Sequence, residues 1–333
     1  MASKGRIFSG MRPTGPLHLG HLVGALENWV KFQNEYDCVY CVVDWHALMS
    51  EYKTPAGLKE NIRGMVADWL ACGIDPQKDI VFVQSEVPEH VELFLAFSLV
   101  TPIPWVERVP TFKEQVEALQ EKDVYTYAFL GYPVLQAADI CLYKANIVPV
   151  GEDQLPHLEL TREIVRRFQN LYNVSIFPEP EARLTKAPRL LGLDRRKMSK
   201  SYGNYISLSE LPAELKKKVL SMVTDETRIK RSDPGHPDTC NVCDYYKVFA
   251  PDRYDLVCEE CRTAKRGCVD CKKELAEILE RVVAPIRKKR AEVLKDEHYI
   301  DDLLASGRKR ASEIARQTMA EVRETLCMPP RKA

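Results

Sequence analysis

Two histidines, His18 and His21, stand three residues apart where a predicted helix begins. That spacing puts both imidazoles on one face of the first helical turn, where unpaired backbone N–H groups and the positive end of the helix dipole attract anions. Gly20, between them, would let a flat ligand approach the backbone closely. The pair therefore predicts a phosphate-binding site, although the same spacing also fits two surface histidines at the start of a helix.

A second group of cationic and hydroxyl side chains lies in the segment Lys197–Ser201. Lys197 and Lys200 are compact charges on flexible stems, and with Ser199 between them they could surround a triphosphate. Taken alone, the segment is also typical of a solvated basic loop, because two arginines directly precede it.

Together, the two motifs indicate phosphoryl chemistry without a covalent enzyme intermediate. A substrate carboxylate would attack the α-phosphate of ATP in line, and pyrophosphate would leave. The histidines would hold oxygens on the α side, the lysines would follow the departing pyrophosphate, and Mg²⁺ is expected on the β and γ oxygens. The sequence contains no Walker A loop and no G-x-G-x-x-G motif, which weighs against kinases and dehydrogenases.

Six of the 11 cysteines lie close together, between Cys240 and Cys271. In a cytosolic protein, such clustering favours a metal or cluster site over disulfides. One possible arrangement, C-x2-C-x14-C-x2-C from Cys240 to Cys261, is close to the spacing of a zinc ribbon.

The elements that must position these groups alternate between strand and helix in the first half of the chain. Short apolar runs such as Cys38–Val43 are typical of buried parallel strands, and helices between them imply right-handed crossovers. We therefore predict an α/β fold whose Rossmann-like parallel-sheet catalytic domain spans residues 1–204.

The rest of the chain, residues 205–333, is predicted to form an all-helical C-terminal domain. It shows no clear strand pattern. The predicted helices are Leu208–Met222, Lys272–Leu294 and Ala311–Cys327.

The 333 residues carry 48 basic and 48 acidic side chains, so the formal net charge is zero. A chain without overall positive charge must bind any polyanion through local patches. No apolar run is long enough to cross a membrane, and the N-terminal residues leave no room for a signal peptide. We therefore expect a cytoplasmic protein that does not bind membranes.

Several blocks of the sequence resemble those of class I aminoacyl-tRNA synthetases, and within that class the bacterial tryptophanyl-tRNA synthetases. Besides the two motifs above, the resemblance rests on Ile7–Gly10, Val43–His46, Phe112–Glu114, Tyr132–Asp139 and Val148–Gln154. It implies ATP- and Mg²⁺-dependent activation of L-tryptophan, followed by transfer to the 3′ end of tRNA(Trp). It also implies a homodimer whose helical C-terminal domain reads the anticodon.

The resemblance places tryptophan in a pocket with a buried acceptor and flat apolar walls. The indole nitrogen is only a donor, and Asp139 resembles the carboxylate that accepts from it. Tyr132 and Gln154 resemble residues that hold the amino group of the substrate. The other residues that the resemblance places around tryptophan are Phe8, Gly10, His46, Gln136, Val148 and Val150.

By the same resemblance, the catalytic residues are His18, His21, Lys197 and Lys200. The wider set for ATP adds Arg12, Thr14, Gly20, Gly151, Asp153, Met198 and Ser199. Relatives often have glutamine in place of Arg12 and methionine in place of Gln136. An arginine at the first position could pair with the substrate carboxylate or with the α-phosphate.

A subset of bacterial tryptophanyl synthetases binds a [4Fe–4S] cluster through an upstream cysteine and a C-x6-C-x2-C segment. Cys261, Cys268 and Cys271 match that segment, and Cys240 is the best upstream match. The 20 residues between Cys240 and Cys261 are two fewer than that pattern has. Zinc in the spacing described above and unligated thiols are the alternatives.

Three basic segments are candidates for contact with tRNA phosphates: Arg228–Arg231, Arg287–Arg290 and Arg308–Arg310. Each is also typical of a solvated helix face, and no RNA-binding motif supports them. Two other functions stay open. One is a tyrosyl-tRNA synthetase of the same fold, whose pocket would need a partner for a phenolic hydroxyl. The other is a non-catalytic synthetase-like protein that binds RNA or senses redox state, against which the intact histidine and lysine motifs argue.

Overall fold

A five-stranded parallel sheet forms the centre of the molecule, in the order β3-β2-β1-β4-β5. The computed structural model describes residues 5–110, 126–184, 190–198 and 202–330. The strands are β1 (Arg6–Met11), β2 (Asp37–Val42), β3 (Ile80–Val83), β4 (Ile147–Val150) and β5 (Glu181–Leu184). The predicted α/β class with a Rossmann-like parallel sheet is therefore confirmed.

The order of the strands changes direction at β1, in the middle of the sheet. This strand pairs in register with β2 along its whole length, and with β4 on its other side, where Ile7 faces Ile147. In open parallel sheets, ligands bind beyond the carboxyl ends of the strands at such a switch point. The site is therefore expected just beyond β1 and β4.

Helices pack on both faces of this sheet and form the region after it. In chain order they are α1 (Leu19–His21), α2 (Glu27–Phe32), α3 (Asp44–Glu51), α4 (Leu58–Cys72), α5 (Glu89–Val100), α6 (Ile103–Glu107), α7 (Tyr127–Leu142), α8 (Leu155–Tyr172), α9 (Pro212–Ser221), α10 (Asn241–Phe249), α11 (Pro251–Arg262), α12 (Cys268–Val293) and α13 (Tyr299–Thr325). A π-helical segment, Leu22–Leu26, joins α1 to α2. Within the described ranges, no helix combines the length and apolar character needed to cross a membrane.

Each face of the sheet buries a separate apolar core. Successive residues of a strand point to opposite faces, so Tyr40 and Val42 of β2 pack into one core, whereas Val39 and Cys41 pack into the other. Strands that are buried on both faces have continuous apolar sequences. This is why Cys38–Val43 is recognisable from sequence.

The C-terminal helix α13 returns to the sheet and packs against β3. The contact is so close that a Cβ atom on Gly307 would overlap the carbonyl oxygen of Val81. Arg310 on the same helix donates to the backbone oxygens of Asp79 and Pro76, at 2.7 and 3.1 Å. The described region after β5 is thus mostly helical, as predicted, while the domain boundary at 204/205 stays a prediction.

Several elements differ from the sequence prediction. β5, α10 and α11 are not predicted, and α12 and α13 begin at Cys268 and Tyr299, before their predicted starts. β5 is an edge strand whose residues are mostly exposed, so no apolar run marks it.

Candidate functional site

A cavity of about 380 Å³ opens beyond the carboxyl ends of β1 and β4, at the switch point of the sheet. Its size, and its apolar walls with a few polar groups, are typical of small-molecule sites. The residues predicted for the amino-acid pocket all line it: Phe8, Gly10, His46, Tyr132, Gln136, Asp139, Val148, Val150 and Gln154.

Strands β1 and β4 supply apolar walls of this cavity. Val148 and Val150 lie two residues apart on β4, so they point to the same face, and both are buried. Phe8 lies on the adjacent strand, and its ring stacks on that of Tyr143 with centroids 5.6 Å apart and planes 7° apart. These side chains give the cavity flat apolar surface suited to a planar ligand.

A buried carboxylate, that of Asp139 on α7, also lines the cavity, with 2% of the residue exposed. Its Oδ2 accepts from His46 Nε2 at 2.9 Å, and its Oδ1 accepts from His90 Nδ1 at 2.7 Å. Gln84 Nε2 donates to both oxygens, at 2.7 and 2.9 Å. Burial opposes ionisation, but the hydrogen bonds from the two histidines more than offset it, so the pKa of Asp139 is lowered. Asp139 is therefore an ionised acceptor.

Tyr132 and Gln154 line the same cavity from α7 and from the turn before α8. The Tyr132 hydroxyl lies 3.3 Å from His157 Nε2. Burial lowers the pKa of His157 to about 4, so this imidazole is uncharged at neutral pH. Both Tyr132 and Gln154 carry oxygen acceptors, which an ammonium group requires because it only donates.

Arg12 and Gly151, two of the residues predicted for ATP, line the cavity as well. Arg12 follows β1 and is exposed, so it brings a positive charge to the edge of the pocket. Asp153 folds back towards Gly151, since a Cβ on that glycine would lie 2.8 Å from Asp153 Oδ1. Thr14 and Asp153 are described but are not among the residues that line the cavity.

The histidine motif begins helix α1, as its spacing predicts. His18 is the N-cap: its Nδ1 accepts from the backbone N–H of Gly20, and His21 Nδ1 accepts from the backbone N–H of His18, both at 3.2 Å. The two ring centroids are 3.9 Å apart. Because Nδ1 is an acceptor in both rings, a neutral imidazole carries its hydrogen on Nε2. Both Nε2–H groups are donors of the kind that phosphate oxygens accept.

Lys197 and Met198, the part of the lysine motif that the structure describes, lie close to the histidine motif. A Cβ on Gly20 would lie 3.1 Å from Met198 Sδ, so the two motifs are neighbours there. Lys197 is exposed, and its carbonyl accepts from Asn204 Nδ2 at 3.2 Å. The predicted residues that lie outside the described ranges are Ser199, Lys200, Ser201 and Phe112–Glu114.

Backbone pairing and a turn connect the segments that carry the two motifs. Residues 17–19 run antiparallel to residues 206–208, with backbone hydrogen bonds of 3.1 and 2.9 Å. Just N-terminal to residues 206–208, Asn204 closes a turn: its Nδ2 donates to Asp194 Oδ1 at 2.7 Å. Hydrogen bonds, first from Asn204 and then from Arg196, lower the pKa of Asp194 to about 2. Gly192 is required here because a Cβ would overlap the Asn204 amide.

A second cavity, of about 20 Å³, lies beside the N-terminal end of α12. It is lined by all four predicted cluster ligands, Cys240, Cys261, Cys268 and Cys271, and by a fifth cysteine, Cys243. Cys258, which the zinc spacing requires, is buried in α11 but is not among the described lining residues. Within the described ranges, no three His, Cys, Asp or Glu side chains are arranged to hold a metal ion.

Gln84, His90 and Tyr143 belong to the first site but are not predicted from the sequence. Gln84 and Tyr143 stand at the ends of apolar stretches and His90 near the start of an apolar helix, so each resembles an ordinary boundary residue. All three are fully buried. A buried polar group must find a hydrogen-bond partner. A polar residue within an otherwise apolar stretch was therefore the signal in the sequence that could have identified these three residues.

Neither the histidine motif nor the described part of the lysine motif lines the amino-acid-sized cavity, but Gly24 and Ala25, just after His21, do. The histidine motif therefore ends within a few residues of the pocket wall, an arrangement suited to joining a nucleotide to a second small molecule. Residues 2–284 match the family model described as tRNA synthetases class I (W and Y), where the letters denote tryptophan and tyrosine. The chain belongs to this family.

Relatives in the family are similar over nearly the full length. The tryptophan–tRNA ligase of Thermotoga maritima is 54% identical over 324 residues, which cover 96% of this chain and 98% of that protein. The corresponding ligase of Deinococcus radiodurans is 43% identical over 325 residues, covering 96% and 97%.

Solved structures give the same result for the fold. The tryptophanyl-tRNA synthetase of Campylobacter jejuni, solved with ADP and tryptophan, superposes with a TM-score of 0.86 at 32% identity, over 97% of this chain and 100% of that one. The tyrosyl-tRNA synthetase of Archaeoglobus fulgidus, solved with L-tyrosine, superposes with a TM-score of 0.66 at 22% identity, over 86% and 90%. The latter likeness shows a common fold alone.

Proposed function

We propose that this chain is a tryptophan–tRNA ligase. It activates L-tryptophan with ATP to give tryptophanyl-AMP and pyrophosphate, and then transfers tryptophan to the 3′ end of tRNA(Trp). The observation that carries the proposal is an acceptor-only carboxylate, Asp139, in a cavity with flat apolar walls, because the indole nitrogen is a donor only. The 54% identity to the Thermotoga ligase supports it independently.

The hydrogen bonds of Asp139 favour tryptophan over tyrosine. A phenolic hydroxyl both donates and accepts, whereas an indole N–H only donates. The N–H groups that surround the carboxylate, those of His46, His90 and Gln84, are already bonded to it, and of the three only His46 lines the cavity. A phenolic hydroxyl could donate to Asp139 as well, but its oxygen would then be a buried acceptor without a donor, which costs free energy. The larger discrimination of about 10⁴ to 10⁵ is expected only against analogues that lack a donor.

The short chain distance between His21 and the pocket residues Gly24 and Ala25 supports adenylation as the first step. The carboxylate of bound tryptophan attacks the α-phosphate of ATP, and the Nε2–H groups of His18 and His21 stabilise the charge that develops on its oxygens. Lys197, next to Met198 and with Lys200 and Ser199 further along the motif, follows the leaving pyrophosphate. Mg²⁺ bound with ATP would supply further neutralisation of the phosphate charge, beside the charge of Lys197.

Charging of tRNA tests the complete reaction. With ATP and Mg²⁺, the purified chain should form tryptophanyl-tRNA on a tRNA(Trp) transcript and no tyrosyl-tRNA on a tRNA(Tyr) transcript. His18→Ala should abolish most of this activity, while His298→Ala, at an exposed position, should retain it. Tyrosyl-tRNA as the product would favour the tyrosyl alternative, and tRNA binding without charging would favour a non-catalytic RNA-binding or redox-sensing protein.

We further propose that Cys240, Cys261, Cys268 and Cys271 ligate a [4Fe–4S] cluster. All four line one cavity, and cysteine thiolates are the usual ligands of such clusters. Cys243 is the alternative upstream ligand, since it lines the same cavity. A cluster there would cross-link the segment before α10 to the start of α12.

Metal analysis after anaerobic purification tests the cluster. Iron and acid-labile sulfide should be present in equal amounts, and Cys268→Ser should lose both. Cys327→Ser, at an exposed cysteine, is the matched control and should keep both. A colourless protein with stoichiometric zinc would overturn the assignment.

A homodimer formed through α5 is also part of the proposal. Val91, Leu95 and Leu99 are four residues apart, so they share one face of the helix, and they are 43, 62 and 69% exposed. An exposed apolar stripe of this kind marks an interaction surface. Sedimentation should give a dimer for the wild type and a monomer for L95E/L99E, while Leu211→Glu, at an exposed leucine elsewhere, should leave the dimer intact.

We propose that residues 205–333 form the anticodon-binding domain. In the basic segment Arg287–Arg290, both arginines are held by carboxylates, those of Glu280 and Asp68. The exposed pair between them, Lys288 and Lys289, is better placed for RNA phosphates. Their replacement by glutamate should raise the KM for tRNA without changing ATP–pyrophosphate exchange. The role in translation also implies a cytoplasmic location.

A further inference from the structure

A chain of buried polar groups extends behind Asp139, on the side away from the cavity. His90 Nδ1 donates to Asp139 Oδ1 at 2.7 Å, and His90 Nε2 lies 2.8 Å from the Tyr143 hydroxyl. Gln84 Nε2 bridges both carboxylate oxygens. Gln84, His90 and Tyr143 are described and fully buried, and they are not among the residues that line the cavity.

The direction of each hydrogen bond in this chain follows from chemistry. An ionised carboxylate only accepts, so His90 must carry a hydrogen on Nδ1. In the neutral ring, Nε2 then accepts from the Tyr143 hydroxyl. Burial, together with the nearby groups Cys41, Asp139 and Glu89, raises the pKa of Tyr143 well above its usual value. That hydroxyl therefore keeps its proton and holds the imidazole in the required tautomer.

The donors also fix the orientation of the carboxylate. Gln84 holds both oxygens, and His90 holds Oδ1 from behind, so the plane of Asp139 cannot rotate without breaking these bonds. His46 is different because it lines the cavity, and its bond to Oδ2 is the one that a ligand can reach. An indole N–H can therefore approach Oδ2 beside His46 or in its place.

We propose that Gln84, His90 and Tyr143 are positioning residues for tryptophan selection, which hold Asp139 as an oriented acceptor without touching the substrate. This inference rests on the proposed tryptophan activation and deepens it. The same residues also pack in the core, since the His90 ring lies 5.4 Å from that of Tyr143 and 5.7 Å from that of Phe82. The test must therefore separate recognition from packing.

Two amide substitutions of His90 make that separation. In His90→Asn the side-chain amide takes the place of Nδ1 and can still donate to Asp139, whereas in His90→Gln it takes the place of Nε2 and cannot. The assay is ATP–pyrophosphate exchange with tryptophan and with its analogue that has sulfur in place of the indole N–H. H90Q should raise the KM for tryptophan about tenfold with little change in kcat, and should reduce the preference for tryptophan over the analogue by a similar factor. H90N should keep most of the preference.

Tyr143→Phe tests the far end of the chain, and Tyr40→Phe is its control. Tyr40 is equally buried, but its hydroxyl donates to the Trp29 carbonyl at 2.9 Å, in the other core. Y143F should lower the preference for tryptophan, and Y40F should not, although both lose a buried hydrogen bond. Equal loss of preference in H90N and H90Q, or an unchanged preference in H90Q and Y143F, would overturn the inference. A wild-type protein without tryptophan-dependent exchange would instead defeat the proposed function.

Discussion

Two buried aspartates, Asp139 and Asp79, show how hydrogen-bond partners decide the charge of a side chain. Asp139 accepts from three residues, and its pKa is lowered. Asp79 is 1% exposed, and its Oδ2 is buried with no hydrogen-bond partner in the part of the chain that the structure describes. Burial, reinforced by the nearby charge of Asp75, raises the pKa of Asp79 to about 7. Ionisation is thus favoured in the first residue and opposed in the second.

Asp79→Asn should therefore change how stability depends on pH. An unfolded aspartate has a pKa of about 3.9, so between that pH and about 7 the folded state holds a proton that the unfolded state has lost. The free energy of unfolding then falls as the pH rises through this window, and stays lower above it. Asparagine cannot ionise, so the variant should gain stability relative to the wild type at pH 8 and much less at pH 4.

Urea denaturation at the two pH values measures this effect. Asp252→Asn, at an exposed aspartate, is the control and should shift stability little at either pH. The same difference between D79N and the wild type at pH 4 and at pH 8 would show that the ionisation of Asp79 is not its cause.

Residues that line the pocket could be predicted from the sequence, whereas the buried residues that hydrogen-bond behind them could not. The nine pocket residues lie in recognisable blocks, and all of them line the cavity. His90 matters because its ring lies 2.7 Å from the Asp139 carboxylate, although the two residues are 49 positions apart in the chain. Nothing in the local sequence around either residue indicates that pairing, which only the packing of α5 against α7 creates.

At the scale of elements, the lysine motif depends on a turn. Asn204 closes it by donating to Asp194 Oδ1 and to the carbonyl of Lys197. Asn204→Ala should leave these acceptors without that donor and loosen the motif. The KM for ATP should rise about tenfold, the size expected for one lost buried hydrogen bond, while the KM for tryptophan stays unchanged.

Exchange kinetics with each substrate varied in turn measure the two constants. Asn170→Ala, at an exposed asparagine of α8, is the control. Parallel increases in both KM values would contradict the assignment of this turn to the nucleotide side of the site.

The long helices and the buried apolar strands could be predicted from sequence, whereas two short helices and the edge strand could not. α10 and α11 span 9 and 12 residues, and their sequences mix cysteines, aromatics and charges. Isolated helices this short are marginal, so tertiary packing around the cysteines must stabilise them. β5 was missed for a related reason, because an edge strand needs little apolar surface.

At the scale of the whole molecule, the two C-terminal helices pack against the sheet and the helices of the first half of the chain. α13 lies on β3, and α12 reaches the histidine motif through Asp68, whose carboxylate binds Arg290 at 2.7 Å and the backbone N–H of Leu17 at 3.4 Å. Through Asp68, the helix that begins with two candidate cluster ligands is therefore linked to the segment that carries the histidine motif.

Gly307→Ala tests the contact of α13 with the sheet. Alanine should favour a helix by about 1 kcal/mol over glycine, but its Cβ would overlap the Val81 carbonyl oxygen. Overpacking against backbone should dominate, so the free energy of unfolding should fall by about 2 kcal/mol or more. Ser306→Ala, at the exposed neighbouring position, should change it by less than about 0.5 kcal/mol. A G307A protein as stable as the wild type would contradict this packing.

We expect one site to join ATP to tryptophan and to no other amino acid. ATP–pyrophosphate exchange in the absence of tRNA, measured with each of the twenty amino acids in turn, tests it most directly. We predict exchange that depends on tryptophan and is at least about tenfold weaker with tyrosine, the cost of one buried phenolic acceptor left without a donor. Exchange with tyrosine but not with tryptophan, or no exchange with any amino acid, would contradict it.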